Sequence, residues 1–427
     1  MSFSCYNEIG GDGMKNALLV GLSHQKKAMV LYSMQELENL AHTLDIVTVE
    51  HIIQDASLSS TPYKIGTGKV EEIKDIIFEH TIDIIIFNDE LTNTQIRNLE
   101  EAFQIPVIDR TLLILEIFAQ RAKTKEAKLQ VEVAQLKYLL PRLTALRTSF
   151  DRQQGGIGSR GPGEKKLEMS RRKIEQDLKQ LNKTLSHIVQ VRKTNRLQRQ
   201  KSNIKNVAIV GYTNAGKSTL MNTLLTHAKA DERDKLVHTK DQVFATLETT
   251  TRQVHLKDYR PFTLTDTIGF VSNLPHDLVE AFKATLEEIQ EADLLLHVID
   301  FSHPFYFDQI ATTQSVLKEL GADAIETLYV FNKIDLTDDT LPHGFAPAIK
   351  ISLKTQKNIP ELLEMIPKML FKDDVTVCLK LPVDRGDLLN TLIEQGQVLS
   401  QTFNSDGILV KARVSLPLRN QMKSYEI

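Results

Sequence analysis

The chain has 427 residues, 41% hydrophobic and 25% charged, with a formal net charge of −3, the make-up of a globular protein of about three domains. No apolar run reaches the roughly 18 residues that cross a bilayer, and no secretory signal heads the chain, which argues against a membrane span or an exported protein. Cys5, Cys378 and the 12 histidines show no pairing or ligand spacing, so neither a disulfide scaffold nor a zinc site is expected and a cytoplasmic location is.

Residues 1–13, with Gly10, Gly11 and Gly13 among them, read as a loose tail. From about residue 16 to 118, strand-like runs at Ala17–Gly21, Ile46–Glu50, Ile82–Phe87 and Ile105–Ile108 alternate with helical patterns at Met34–Leu44, Lys69–Phe78 and Gln95–Phe103. Strands alternating with helices of this length predict a small parallel-sheet α/β domain over residues 1–120.

A basic helical segment follows over 121–203. Between Ala119 and Lys205 there are 22 Lys or Arg against 7 Asp or Glu, whereas the remainder of the chain carries 30 against 48. Such a split marks a polyanion-binding arm on an acidic body. Two heptad seams, Leu129-Val133-Leu136-Leu140-Leu143 and Ile174-Leu178-Leu181-Leu185-Ile188, predict an antiparallel hairpin of helices, with a kink at Pro141. Between them, the segment Asp151–Gly163 holds five glycines and two arginines and reads as an exposed tip. Gly156–Gly161 matches a Gly-x-Gly-x-x-Gly dinucleotide pattern, but no strand precedes it, and that reading is rejected. Arginines for phosphate and glycines for close backbone approach fit an RNA probe; the plain alternative is a solvated spacer.

The third region, 204–371, carries the chemistry. The apolar run Val207–Val210 ends in Gly211-Tyr212-Thr213-Asn214-Ala215-Gly216-Lys217-Ser218, a Gly-x-x-x-x-Gly-Lys-Ser cradle in the strand–loop–helix context that aims backbone N–H groups at phosphate. Lys217 is expected at the terminal phosphates and Ser218 on Mg²⁺, with Thr219 beside the nucleotide. Phe262–Thr265 forms a strand ending in Asp266-Thr267-Ile268-Gly269. There the Asp suits Mg²⁺ through water and the Gly admits its N–H to the γ-phosphate. Leu328–Phe331 is a further strand, capped by Asn332-Lys333-Ile334-Asp335, whose carboxylate can accept both guanine N1–H and its amino group; adenine offers no such pair. Ser352, Leu353 and Lys354, after the next strand, offer further base contacts. A switch threonine lies in the segment Asp241–Arg252, where composition does not choose among Thr246, Thr249, Thr250 and Thr251. Phe270 stands where a water-orienting Gln often sits, which predicts slow turnover alone and completion by a partner. Together the three motifs predict a GTP-hydrolysing domain.

Beyond it, over 372–427, a strand at Val375–Leu381, a helix at Asp387–Glu394 and a hairpin of Gln401–Asn404 with Ile408–Val414 predict a small α+β appendage. The predicted fold class is therefore α/β: a P-loop GTPase domain preceded by a small parallel α/β domain and an antiparallel helical hairpin, with that appendage behind.

The loop at 211–218, Phe-Ala-Thr-Leu at 244–247, Asp-Thr-Ile-Gly-Phe at 266–270, the segment Leu274–Phe282 and Asn-Lys-Ile-Asp at 332–335 resemble the HflX family of GTPases. So do Gln130–Leu143 and Gly155–Glu164, outside the GTPase region. The resemblance implies GTP and GDP as ligands, Mg²⁺ held by Ser218 and Thr246, and catalysis by Lys217, Thr246 and Gly269. Phe244, Ala245, Leu247 and Glu248 fall beside the nucleotide. Asn214 occupies a position at which some related GTPases bind K⁺, a secondary expectation. The resemblance further implies a monomeric factor that binds the ribosome, chiefly its large subunit and rRNA, with the arm tip near the peptidyl-transferase region, and that dissociates stalled or idle ribosomes. An assembly GTPase acting on precursor subunits is the alternative. The chain departs from the family at Glu164–Arg172, where extra lysines appear, and at Thr249, where a proline is usual.

Overall fold

The computed structural model describes residues 14–23, 27–153, 162–201, 204–228, 250–256, 260–271, 288–404 and 407–427. They divide into two compact units, one reaching to Val189 and one from Gln190.

In the first unit, β1 (Lys15–Ser23), β2 (Ile46–Asp55), β3 (Ile84–Phe87) and β4 (Val107–Asp109) form a sheet in the order β2-β1-β3-β4. Every pairing is parallel. The central strands are continuous apolar runs, as a sheet covered on both faces requires: all four residues of β3 are buried. Helices α1 (Lys27–His42), α2 (Thr67–Glu79) and α3 (Asn93–Phe103) alternate with the strands. A reciprocal cap starts α3, where Thr92 and Gln95 exchange side chain-to-backbone hydrogen bonds. The sequence reading missed α4 (Arg110–Arg121). Leu112, Leu113, Ile114, Leu115, Ile117 and Phe118 are all buried there, and a helix apolar nearly all round has no stripe to reveal it.

Two long helices follow, α5 (Lys125–Gln153) and α6 (Pro162–Lys201). The seam expected on α6 is the sheltered one: Ile174 is buried and Leu178, Leu181, Leu185 and Ile188 half-buried among exposed neighbours. On α5 the reading was incomplete. Leu129, Leu136 and Leu140 are only half-buried, whereas Ala127, Gln130, Val131 and Ala134 are buried along a second face. That face belongs to the α/β domain: Gln135 Nε2 donates to Glu116 of α4 at 3.0 Å, and the Tyr138 hydroxyl donates to Asp109. Pro141 lies inside α5, which continues as one helix to Gln153, so the expected interruption does not end the element. The Gly-rich tip at 154–161 and the tail at 1–13 lie outside the described residues.

In the second unit, β5 (Lys205–Gly211), β6 (Thr250–Val254), β7 (Phe262–Asp266), β8 (Leu294–Asp300), β9 (Thr327–Asn332) and β10 (Ala348–Lys350) form a six-stranded sheet ordered β10-β9-β8-β5-β7-β6. It is parallel except for β6, which runs antiparallel to β7. Helices α7 (Lys217–His227), α8 (Tyr306–Glu319) and α9 (Ile359–Leu370) accompany it. The sequence reading assigned neither β6 nor β8. β8 is an apolar run without alternation or motif, yet it lies between β5 and β9 at the centre of the sheet.

The same unit ends in an antiparallel sheet, order β11-β13-β12, from β11 (Val375–Leu381), β12 (Gln397–Asn404) and β13 (Gly407–Val414). It is backed by α10 (Gly386–Gln395) and α11 (Leu416–Met422). Arg260, on the approach to β7, ties this end to the larger sheet. It donates to Asp374 at 2.8 Å and to the Gln395 carbonyl at 2.9 Å, and its guanidinium lies 4.7 Å from the Phe371 ring centroid.

Candidate functional site

Three chain segments converge at the C-terminal ends of β5, β7 and β9, where ligands bind in open α/β sheets. The first is the loop between β5 and α7. It turns through Gly211 (φ 142°), Asn214 (φ 60°) and Gly216 (φ 103°), a left-handed path that favours glycine. A Cβ on Gly211 would stand 2.2 Å from the Val298 carbonyl oxygen, and one on Gly216 2.5 Å from Asn332 Nδ2. Both glycines are therefore required by close approach as well as by φ. Tyr212 and Ala215 are buried, Thr213 and Ser218 half-buried, and Asn214 and Thr219 exposed at the rim. The loop delivers α7 with its first amides facing the turn, the geometry of an anion site.

Lys217, the first residue of α7, is buried and donates to the Tyr212 carbonyl at 2.6 Å. Burial lowers its ammonium pKa to about 8 even though the charge of Asp266 acts the other way. Ser218 Oγ donates to Asp266 Oδ2 at 2.7 Å, bringing a hydroxyl and a carboxylate together at the helix start.

The second segment begins at Asp266, fully buried at the end of β7. Thr267 Oγ1 donates to the Ile209 carbonyl at 2.6 Å, anchoring the segment to β5, and Ile268 is buried. Gly269 then lies directly over the loop: a Cβ there would be 2.8 Å from both Lys217 Nζ and Thr213 Cγ2. Phe270 is only 2% exposed, with its N–H donating to the Gly211 carbonyl at 3.2 Å and its carbonyl accepting from Thr213 N–H at 2.8 Å. Its ring is a core group and its backbone a brace.

The third segment follows β9. Asn332 commits its side-chain amide to bracing: Nδ2 donates to the Ala215 carbonyl at 2.9 Å and Oδ1 accepts from Leu353 N–H at 3.2 Å. It ties the phosphate loop to the 352–354 turn. Lys333 (φ 65°) reaches Asp300 at 2.7 Å, and Ile334 is half-buried beside it. Asp335 is exposed and accepts from Ser352 Oγ at 2.6 Å. That hydrogen bond, with help from Lys354 and Lys333, holds its carboxyl below the usual range. Ser352 and Leu353 are buried, and Lys354 is exposed.

The structure thus brings together the loop at 211–219, the segment 266–269 and the turns at 332–335 and 352–354. Phe244, Ala245, Thr246, Leu247 and Glu248 lie outside the described residues, as does Leu274–Phe282. Two site residues escaped the sequence reading, both on β8. Asp300 holds Lys333 while also accepting from Ser302 Oγ at 2.6 Å. His297 is buried beneath, and its imidazole pKa is lowered to about 3 by burial and then by Lys217, so it stays neutral and adds no positive charge. The only signal was a His and an Asp spaced three apart in an apolar run. Among the described residues no cluster of three or more His, Cys, Asp or Glu stands ready for a metal, and no helix is long and apolar enough to cross a membrane.

Comparison with known proteins accounts for most of the chain. Residues 32–119 match the family described as GTP-binding GTPase N-terminal, 121–199 the GTP-binding GTPase Middle Region, and 206–333 the 50S ribosome-binding GTPase family. The chain is similar to the GTPase HflX of Caldanaerobacter subterraneus, with 43% identity over 423 residues covering 99% of this chain and 96% of that protein. It is also similar to the GTPase HflX of Lacrimispora saccharolytica, at 40% over 407 residues covering 94% and 93%. Among solved structures, a GTP-binding protein from Sulfolobus solfataricus in complex with GDP aligns with TM-score 0.43 and 23% identity, over 84% of this chain and 99% of that one.

Proposed function

The chain belongs to the HflX family of GTPases, and on that premise we propose that it is a GTP-gated factor that binds the large ribosomal subunit through rRNA and dissociates stalled or idle ribosomes. The observation that carries this reading is chain continuity between the arm and the site. The basic helix α6 ends at Lys201, and β5, which runs into the phosphate loop, begins at Lys205. The kinship with a family described as 50S ribosome-binding GTPases supports the choice of partner.

Within the site, Lys217 and the α7 amides are suited to the β- and γ-phosphates, and the Gly269 N–H to the γ-phosphate. Asp335 accepts the guanine N1–H and amino group, while Lys333, held by Asp300, covers the base. Ser218 and Asp266 put two hard oxygens 2.7 Å apart, a donor set that fits Mg²⁺ better than softer metals; Ser218 would hold the ion directly and Asp266 through water, and the ion would neutralise charge on the phosphates. Thr246 is assigned to the same ion by family resemblance alone, and K⁺ at Asn214 remains a secondary assignment. Because Phe270 is a core residue braced to the loop, water orientation falls to another group, which supports slow turnover alone and stimulation by the ribosome. The factor acts as a cytoplasmic monomer.

The test is GTP turnover of the purified protein alone and with saturating large subunits, followed by sucrose-gradient analysis of intact ribosomes with GTP. Stimulation of about tenfold or more and conversion of ribosomes to subunits are expected. Unchanged turnover refutes the ribosomal reading, and stimulation without dissociation refutes splitting.

A further inference from the structure

The C-terminal sheet has one packed face and one open face. Strand alternation turns Leu379, Val410 and Ala412 toward Leu392, Leu418 and Met422. The register then writes the opposite face as three rows across β11, β13 and β12: Thr376–Arg413–Gln397, Cys378–Lys411–Ser400 and Lys380–Leu409–Thr402. All nine residues are exposed or half-exposed. Three are cations and none is a carboxylate, on a chain that outside its arm carries 48 Asp or Glu against 30 Lys or Arg.

Among the described residues, three nearby acids are engaged by other cations. Asp374 is taken by Arg260, Asp387 by Arg385 and Glu426 by Arg419. Arg413 stands near the Arg260–Asp374 pair and feels both charges, so their effects on it oppose one another. Among the described residues, Lys380, Lys411 and Arg413 make no ion pair. Lys411 and Arg413 lie about 7 Å apart on one strand, and Lys380 sits diagonally from Lys411 at about 7–8 Å. The rest of the nine are small donors and acceptors, with Leu409 as the one aliphatic group among them; Leu399 is exposed at the β12 bulge, and the exposed Phe403 is in register with Ile408 of the packed face. A protein partner calls for aromatic or large apolar anchors, which this face lacks; phosphate oxygens call for cations and hydroxyls on a surface they can lie across.

We infer that the open face of the β11-β13-β12 sheet docks the sugar-phosphate backbone of RNA, giving the protein a second RNA contact far along the chain from its basic arm. Naming that RNA as ribosomal rests on the proposed function; the face itself does not.

The experiment uses the full-length protein and two probes: intact large ribosomal subunits, and rRNA extracted from them. Binding is followed by co-sedimentation and filter retention over a series of KCl concentrations. Each phosphate contact contributes roughly 0.7–0.9 to the slope of log K against log salt. The triple variant Lys380→Gln, Lys411→Gln, Arg413→Gln is expected to flatten that slope by about 2 on both probes and to weaken binding at least tenfold. The charge-keeping set Lys380→Arg, Lys411→Arg, Arg413→Lys should keep the slope. A set with equal charge loss elsewhere, Lys318→Gln, Lys357→Gln, Lys368→Gln, should keep it too. A wild-type slope in the first variant overturns the inference, as does equal flattening by the distant set. Flattening on subunits with none on extracted rRNA also overturns it, assigning the face to a ribosomal protein. Wild-type protein that fails to sediment with subunits overturns the ribosomal reading alone, because the slope on extracted rRNA still decides the face.

Discussion

Replacing Gly269 by alanine is the sharpest perturbation the site offers. The added methyl would stand 2.8 Å from Lys217 Nζ, 2.8 Å from Thr213 Cγ2 and 3.1 Å from Thr213 Cα. Comfortable contacts begin near 3.5 Å, so the two segments must part by roughly 0.7 Å. Neither neighbour yields freely. Lys217 is buried and hydrogen-bonded to Tyr212, and Thr213 is pinned through its N–H to Phe270. Overpacking of this kind costs about 1–3 kcal/mol, and displacement of catalytic groups by half an ångström or more costs roughly 10- to 100-fold in rate. The expected result is a 10- to 100-fold loss of subunit-stimulated GTP turnover. Affinity for fluorescent GDP should change less than about threefold, because Gly269 faces Lys217 rather than the base turns. Steady-state turnover and GDP titration on one preparation read both quantities. Turnover within threefold of wild type would refute the argument that these atoms are in contact.

Asp335→Asn should weaken guanine nucleotides by roughly 100-fold and admit xanthine nucleotides, whose 2-oxo group accepts from the new amide where the guanine 2-amino group donates to the carboxylate; competition between GDP and XDP measures it. Arg260→Met leaves Asp374 buried without its cation and should destabilise the second unit by about 3–5 kcal/mol, whereas Arg260→Met with Asp374→Leu should recover most of that. Denaturant unfolding of the two variants compares them, and equal losses would refute a paired contact. Raising pH from 7 to 8.5 should weaken GDP binding about three- to fourfold, since a Lys217 pKa of about 8 leaves a falling fraction of the charge that holds phosphate. In the ligand-free protein the sign is opposite. The unfolded lysine binds its proton more tightly than the folded one, so this residue favours folding increasingly between pH 8 and about 10.5. GDP affinity independent of pH over that first interval would refute the assignment of Lys217 to phosphate.

The phosphate loop, the Asp266 segment, the Asn332–Asp335 turn, the helices of the arm and β11 through β13 were legible in the sequence because each is a local pattern. A strand period, a heptad or a glycine-bearing turn is written in consecutive residues. What lay beyond reach was set by residues distant along the chain. The apolar runs of α4 and β8 have no face to announce, yet β8 supplies the Val298 carbonyl that makes Gly211 obligatory and the Asp300 that holds Lys333. Asn332 reads as a base-site residue until the fold sets Ala215 and Leu353 on either side of its amide. The cations at 380, 411 and 413 are unremarkable apart; only the antiparallel register of β11 and β13 gathers them on one face. Short-range backbone preferences and motif spacing act between neighbours, and sequence alone carries them. Which surfaces become sheltered, and which charges become companions, depends on pairing between strands tens of residues apart, and that the tertiary structure decided.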